Sequence, residues 1–531
     1  MRKFNTAGPC IPRKHYMTDI QKRIQDIRSL VDEGAYFTIN CARQYGKTTT
    51  LAGLAKAIEE NYLVVSLDFQ KFSQACFENE SSFSRAFAEE FSREARRIIK
   101  EEICGKEGLE ALEAVENTGM NLRELFVVLL DFCERSKKPV VLLIDEVDSA
   151  SDNQVFLDFL AQLRNSYLDR ELKDRAAFQS VILAGVYDVR NIRQKIRKNE
   201  EHKVNSPWNI AADFDVDMSF SKEEIAGMLE EYEEDHHTGM DVPKIAGHLY
   251  DYTAGYPFLI SRLCKLIDKN QENKKQFQKN GTAWTGEGFR EAVRLILTEK
   301  NPLFDSLSGK LAEYPRLDSM LQSMLFTGKS IAYNPDDPAV DMAAMLGFIR
   351  NQDGNAVIAN RIFETRLYNW YLSTAEMQEQ EMYKASLLDK NQFVVEGHLN
   401  MRRVLEKFVE HFSSIYYDRD ISFLEEEGRK YFLLYLRPII NGAGNYYIES
   451  RTRELRRTDV IVDYRGEQYV IEMKIWRGEE YNRRGREQLI GYLNDYGKQK
   501  GYLISFNFNK KKQIGVYERF IGGKMIIEAV V

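Results

Sequence analysis

No stretch of the 531 residues stays apolar for the roughly 18–20 positions that a bilayer span requires. The first residues, MRKFNTAGPCIPRKHYM, lack the apolar core of a secretory signal. Both absences lead to the expectation of a cytoplasmic protein with no membrane partner. Cysteine is sparse and scattered: Cys10, Cys41, Cys76, Cys104, Cys133 and Cys264 include no CxxC pair, so spacing suggests neither a zinc site nor a disulfide framework. Internal repeats and low-complexity tracts are also missing. Basic charge is not in excess, for the formal net charge is -7, which argues against nucleic-acid binding by the chain as a whole. The charge is uneven, however. From Glu396 onward 24 Lys and Arg face 20 Asp and Glu, so this end carries +4 and the remainder −11. A mildly basic C-terminal module on an acidic body is compatible with a nucleic-acid site at that end.

What is present is an ordinary globular composition, 44% hydrophobic and 29% charged, over a length that suggests several domains. YLVVSLDF, PVVLLIDEVD and SVILAGV are apolar on both faces and are separated by helical stretches, the pattern of a parallel sheet in an α/β domain. Residues 221–300 read as helical. Residues 301–375 mix short helices with a hairpin around Asn351–Ala359, as a winged helix does. Residues 376–396 read as a polar helical linker, and a last module spans 397–531.

INCARQYGKTTTL follows a strand and opens a helix. Its Gly46-Lys47-Thr48 is the second half of the phosphate-loop pattern GxxxxGK[ST], although Cys41 stands where the first glycine belongs. Backbone N–H groups at a helix N-terminus hold phosphate oxygens; Lys47 reaches the β- and γ-phosphates, and the Thr48 hydroxyl ligates magnesium. VVLLIDEVD has the form of a Walker B strand: Asp145 holds the magnesium ion through water and Glu146 polarises the attacking water. These two stretches resemble the AAA-ATPase-like proteins of bacteria, relatives of the archaeal ATPase and STAND branches of P-loop NTPases, in which the loop often reads xPRxxGKT without the first glycine. FNTAGPCIPRKHYM and TAGYPFLISRLC are similar to that family too, the second resembling its helical-lid motif around Gly255-Tyr256-Pro257. The resemblance covers about residues 1–375. It implies ATP as ligand, Arg43, Gln44, Tyr45, Gly46, Lys47, Thr48, Thr49 and Asp145 as its binding residues, Glu146 as catalytic, and a homo-oligomer that no residue of the sequence decides. Tyr187, Asp188 and Arg190 follow SVILAGV as sensor candidates. Arg164 and Arg170 are candidates for an arginine finger, and neither sensor nor finger is assigned.

TDVIVDYRGEQYVIEMKIW reads as two strands and a tight turn, with Ile471, Met473 and Ile475 on one face and Glu472 and Lys474 on the other. By residues alone, Glu472 and Lys474 fit an ion pair on a wet face as well as a metal-dependent phosphodiesterase centre. The module 397–531 resembles the PD-(D/E)xK nuclease superfamily, a restriction-endonuclease-like α/β domain. The matching positions are Asp459, Glu472 and Lys474, with Thr458 in place of the proline. The resemblance implies Mg²⁺ or Mn²⁺ on Asp459 and Glu472, with Lys474 orienting the water. It also implies a further acid, Glu426 or Glu427, from the helix in Phe423–Leu436, and Gln488 beside the lysine. Arg451, Arg453, Arg456, Arg457, Arg483, Arg484 and the run Asn509–Lys512 are candidate phosphate contacts.

The chain thus reads as an α/β protein: a P-loop NTPase core (1–220) with helical lid and winged-helix-like segment, followed by a restriction-endonuclease-like domain. The expected function is ATP hydrolysis coupled to metal-dependent cutting of nucleic acid, DNA before RNA, in defence against foreign DNA. The alternatives are a nucleotide-switched scaffold whose nuclease-like domain binds without cutting, and an ATPase that remodels a protein partner.

Overall fold

The computed structural model describes residues 2–98, 110, 112, 120–150, 153–186, 208–273, 283–326, 330–389, 392–416, 425–440, 444–447, 460–465, 467–495, 497–509 and 512–531. The chain forms two compact units. The first holds residues 1–237, 255–265 and 345–347, and the second holds 238–254, 266–344 and 348–531.

In the first unit, helix α1 (Gln21–Asp32), strand β1 (Tyr36–Asn40), α2 (Lys47–Ile58), β2 (Leu63–Asp68), α3 (Glu80–Ile98), α4 (Leu122–Arg135), β3 (Val140–Asp145), α5 (Gln154–Lys173) and β4 (Ser180–Gly185) build a layered α/β fold. The strands lie in the order β1-β4-β3-β2, all parallel. The expected parallel sheet is therefore present, and the apolar runs explain it. Every residue of β3 and β4 is buried. Val140, Leu142 and Ile144 pack among Phe83, Phe87, Phe126 and Phe159 on one face; Val141 and Leu143 pack with Ile27, Leu51 and Leu54 on the other. Asn121 caps α4 in a reciprocal capping box with Glu124. Helix α6 (Lys222–His236) starts with the same device, Ser221 and Glu224.

Arg170, one of the two arginine-finger candidates, is engaged by backbone carbonyls of its own unit. Its guanidinium donates to the carbonyls of Phe178 and Gln179, each at 2.7 Å, and of Gly34 at 2.6 Å. These residues precede β4 and β1, so Arg170 ties down the amino ends of the strands, away from the phosphate loop at the carboxyl end of β1.

The second unit contains α7 (Val242–Thr253), the second half of α8 (Pro257–Asn273), α9 (Gly286–Thr298), α10 (Pro302–Glu313), α11 (Pro315–Phe326), β5 (Ile331–Ala332), all but the last residue of α12 (Pro338–Met345), β6 (Ile349–Gln352), β7 (Asn355–Ile358) and α13 (Arg361–Tyr371). Strands β6 and β7 are the hairpin expected around Asn351–Ala359, turning at Asp353 and Gly354, both at positive φ. In the stretch expected as a linker, α14 (Glu381–Asp389) is packed against later helices of the same unit. There follow β8 (Val394–Val395), β9 (His398–Leu399), α15 (Met401–Ile415), α16 (Glu425–Ile440), β10 (Gly444–Tyr447), β11 (Val460–Tyr464), β12 (Glu467–Ile475), α17 (Glu479–Asp495), β13 (Lys500–Phe506), β14 (Gly515–Ile521) and β15 (Lys524–Val530).

The last strands form a mixed sheet in the order β10-β11-β12-β13-β15-β14. Antiparallel pairing joins β10, β11 and β12, parallel pairing joins β12, β13 and β15, and β14 returns antiparallel along the edge. Helices α15 and α16 cover one face and α17 the other. Tyr464 pairs with Glu467 at the end of the β11–β12 ladder, so the two strands expected there are paired.

Candidate functional site

Each unit carries one group of candidate residues. In the first, the chain leaves β1 at Asn40, loops through 41–46 and enters α2 at Lys47. Gly46 caps the helix at φ 81°, a conformation that favours glycine, and a Cβ there would meet open space. The loop is closed from inside. Lys47 is buried, and its ammonium donates to the carbonyls of Cys41 at 2.8 Å and Ala42 at 3.1 Å. Cys41 takes the place of the missing glycine by packing beside the α1–α2 core, and burial pushes its thiol up to about 11. Thr48 Oγ1 donates to Asp145 Oδ2 at 2.6 Å, so the hydroxyl and carboxylate expected to share a magnesium ion already converge. Both are oxygen donors of the kind that ion takes.

Glu146 follows in the left-handed region, φ 55°, with its N–H bonded to Asp145 Oδ1. Burial, and then Asp145 beside it, hold its carboxyl above the usual carboxylate range. Gly185 at the end of β4 makes room for this turn: a Cβ would come within 2.8 Å of Val147. Tyr187, Asp188 and Arg190 lie outside the described residues.

The sequence left one part of this site without a role. Tyr256 donates to the carbonyl of Arg43 at 2.5 Å and its ring meets that of Tyr45 at 4.4 Å. Gly255, at φ 80°, lets the chain pass Phe220, whose carbonyl oxygen would lie 2.4 Å from a Cβ. The Gly-Tyr-Pro stretch thus braces the phosphate loop. The side chains of Arg43 and Gln44 are exposed. Gln44, Gly46 and Thr49 line a cavity of about 760 Å³, counting its mouth, that Thr6, Met17 and Phe258 also line. Thr49 Oγ1 accepts from the Cys10 N–H at 3.0 Å, joining the N-terminal segment to α2.

In the second unit, Glu472 is 0% exposed. That removes the reading of a solvated strand face, because α17 covers this side of β12. Lys474 Nζ lies 2.9 Å from Glu472 Oε1 and 3.7 Å from Glu425 Oε2. Glu425 Oε1 accepts from Tyr481 Oη at 3.3 Å. The lysine stem runs against Gly485, where a Cβ would approach Lys474 Cγ to 3.1 Å.

Here the structure corrects the sequence. The acid that α16 brings to Lys474 is Glu425, and neither Glu426 nor Glu427. Residues turn by about 100° along a helix, which sets Glu427 roughly 200° away from Glu425. Gly428 fixes which side faces the sheet, for a Cβ there would stand 2.3 Å from Phe506. A glycine three residues after an acid was the signal available in the sequence.

Gln488 lies one turn beyond Gly485. One turn before it, Asn482 donates to Glu528 at 2.6 Å and accepts from Ser505 at 3.0 Å. Ser505 is the register partner of Lys474. Glu528, 1% exposed, also takes Arg486 at 3.1 Å and Arg519 at 2.7 Å, which pins α17 to the sheet.

The β11–β12 ladder reaches Val460 opposite Ile471. Asp459 lies outside the described residues, as do Arg451, Arg453, Arg456, Arg457, Lys510 and Lys511. Arg483 and Arg484 pair with Glu480 on their own helix, and Arg483 with Glu487 as well. No described helix is long and apolar enough to cross a membrane.

Comparison with known proteins bears on the first site. The Walker-type ATPase PABY2304 of Pyrococcus abyssi is similar in structure over 68% of this chain and 99% of its own, at 12% identity and a TM-score of 0.48. The ORC1 protein of Aeropyrum pernix, solved with DNA, is similar over 66% of this chain and 93% of its own, at 13% identity and a TM-score of 0.30. RuvB of Thermotoga maritima is similar over 64% and 91%, at 13% identity and a TM-score of 0.31. No curated protein matches the sequence. A family model described as "AAA-like domain" matches residues 13–374. That match takes in the phosphate loop, the acid-ended strand β3 and the Gly-Tyr-Pro brace, and it spans more than half of the chain, which belongs to the AAA-like domain family.

Proposed function

We propose that the protein is an ATP-hydrolysing switch joined to a metal-dependent nuclease that cuts DNA. The observation that carries the nuclease half is the fully buried Glu472 with Lys474 and Glu425 around it. Burying a carboxylate costs several kcal/mol unless it is paired or binds a cation; Glu472 meets that cost with Lys474 at 2.9 Å, and Lys474 also faces Glu425 at 3.7 Å, so two carboxylates converge on one ammonium.

At the first site the N-terminus of α2 receives the nucleotide phosphates. Lys47 leaves the Cys41 and Ala42 carbonyls for the β- and γ-phosphate oxygens. Thr48 and Asp145 are the residues to hold magnesium, and Glu146 polarises the attacking water. The cavity beside Gln44 and Thr49 takes the base, and the Tyr256 brace sets the loop's position. At the second site Glu472, Glu425 and Asp459 are the residues to hold Mg²⁺ or Mn²⁺. Their oxygen-only donor set suits these hard cations. The bound ion supplies a water of lowered pKa and neutralises phosphate charge. Lys474 orients that water and stabilises charge on the phosphate. The defence role, a cytoplasmic location and a homo-oligomeric assembly belong to the same proposal.

The test is incubation of the purified full chain with plasmid DNA, linear DNA and RNA, with Mg²⁺ or Mn²⁺, with and without ATP. Metal-dependent DNA cutting that Lys474→Ala abolishes is the expected result. Binding of DNA with no cutting under any of these conditions favours the scaffold.

A further inference from the structure

Helix α16 makes contacts on two sides. At about 100° per residue, Glu425, Gly428 and Phe432 share the side toward the sheet. Glu426, Lys430 and Arg437 line up roughly 150° away from it. On the first side Glu425 reaches Lys474 and Gly428 abuts Phe506. On the second side Arg437 donates to the carbonyl of Asn369 at 2.8 Å, and the Lys430 ammonium sits 5.8 Å from the centre of the Phe326 ring. Glu426 and the buried Arg429 line a groove with Arg361, Glu364 and Tyr368 of α13. Asn369 and Phe326 both belong to the segment 301–375, so the helix that delivers Glu425 is clamped by that segment from behind.

The charge of the segment argues in the same direction. Residues 301–375 contain six Lys and Arg against eight Asp and Glu, whereas a module that reads duplex DNA presents a basic face. Its role follows from what it holds and not from a charge it lacks.

We infer that the winged-helix-like segment positions the nuclease centre: through Arg437, and Phe326 beneath Lys430, it fixes the rotation and height of α16 and so the place of Glu425. Arg437 is a positioning residue, remote from the cation it serves. The inference rests on the reading of Glu472 and Glu425 as metal ligands. A misplacement of a ligand by about 1 Å weakens a site far more than it weakens a fold, so metal affinity is the sensitive readout.

The experiment is Mn²⁺ binding to the nucleotide-free full chain, followed by electron paramagnetic resonance of the free ion. Wild type is compared with Glu472→Gln, Arg437→Met, Arg437→Lys and Phe326→Leu. The expected result is a site lost in Glu472→Gln, weakened about tenfold in Arg437→Met and largely restored in Arg437→Lys, with Phe326→Leu weakened to a smaller degree. Arg437→Met and Phe326→Leu that bind like wild type overturn the inference. Should Arg437→Met fail to fold, Phe326→Leu decides alone. A wild type whose Mn²⁺ binding is untouched by Glu472→Gln overturns the metal-centre reading itself, and this inference with it.

Discussion

Two residues carry most of the chemistry argued for the first unit. Thr48 Oγ1 and Asp145 Oδ2 are 2.6 Å apart, so the fold brings together the two oxygens proposed to share a magnesium ion. Removing a hydrogen bond to a charged group costs about 1.5–3 kcal/mol. Thr48→Ala is therefore expected to weaken Mg²⁺-ATP binding by about tenfold or more, as read by titration calorimetry. Glu146→Gln keeps binding and is expected to lower phosphate release by about 10²–10⁴-fold. Its pH dependence has a definite sign. The raised carboxyl of Glu146 takes up a proton at a higher pH than an ordinary glutamate, and the protonated form cannot polarise water. Turnover should fall on acidification earlier than an unperturbed glutamate predicts. A pH–rate profile that is flat through that region contradicts the assignment.

Helix α16 shows what sequence could and could not give at the level of elements. Its existence was legible from the pattern between Phe423 and Leu436, and so was the supply of an acid. Which of three consecutive glutamates points at the sheet was not, because rotation is set by packing against β13. For that reason the sequence offered Glu426 or Glu427, whereas the one that lies beside Lys474 is Glu425. The phosphate loop was legible despite Cys41, since the helix-entering Gly46-Lys47-Thr48 and the acids of β3 fix the site. The bracing role of Tyr256 and the burial of Glu472 under α17 were invisible, because both depend on contacts more than ten residues apart in sequence. The close approach of Gly428 to Phe506 gives a direct test of the element. Gly428→Ala forces a shift that overpacking places at about 1–3 kcal/mol. It should lower the unfolding midpoint of the second unit and the nuclease activity together. Loss of neither contradicts the placement of α16.

At the scale of the whole molecule, each unit carries its own candidate site, and the proposal assigns each a different ligand. A ligand that binds the folded form stabilises it by about 2.7 kcal/mol at a hundredfold excess over its dissociation constant. Hydrogen exchange of the full chain should then show Mg²⁺-ATP protecting residues 41–50 and Mn²⁺ alone protecting α16 and β12. Protection of β12 by neither Mn²⁺ nor Mg²⁺ contradicts the second site.

The most direct measurement is cleavage of linear DNA with Mn²⁺ by wild type, Glu425→Gln and Glu427→Gln side by side. The account predicts that wild type and Glu427→Gln cut while Glu425→Gln is strongly impaired. A wild type that does not cut, or a Glu425→Gln that cuts while Glu427→Gln does not, contradicts it.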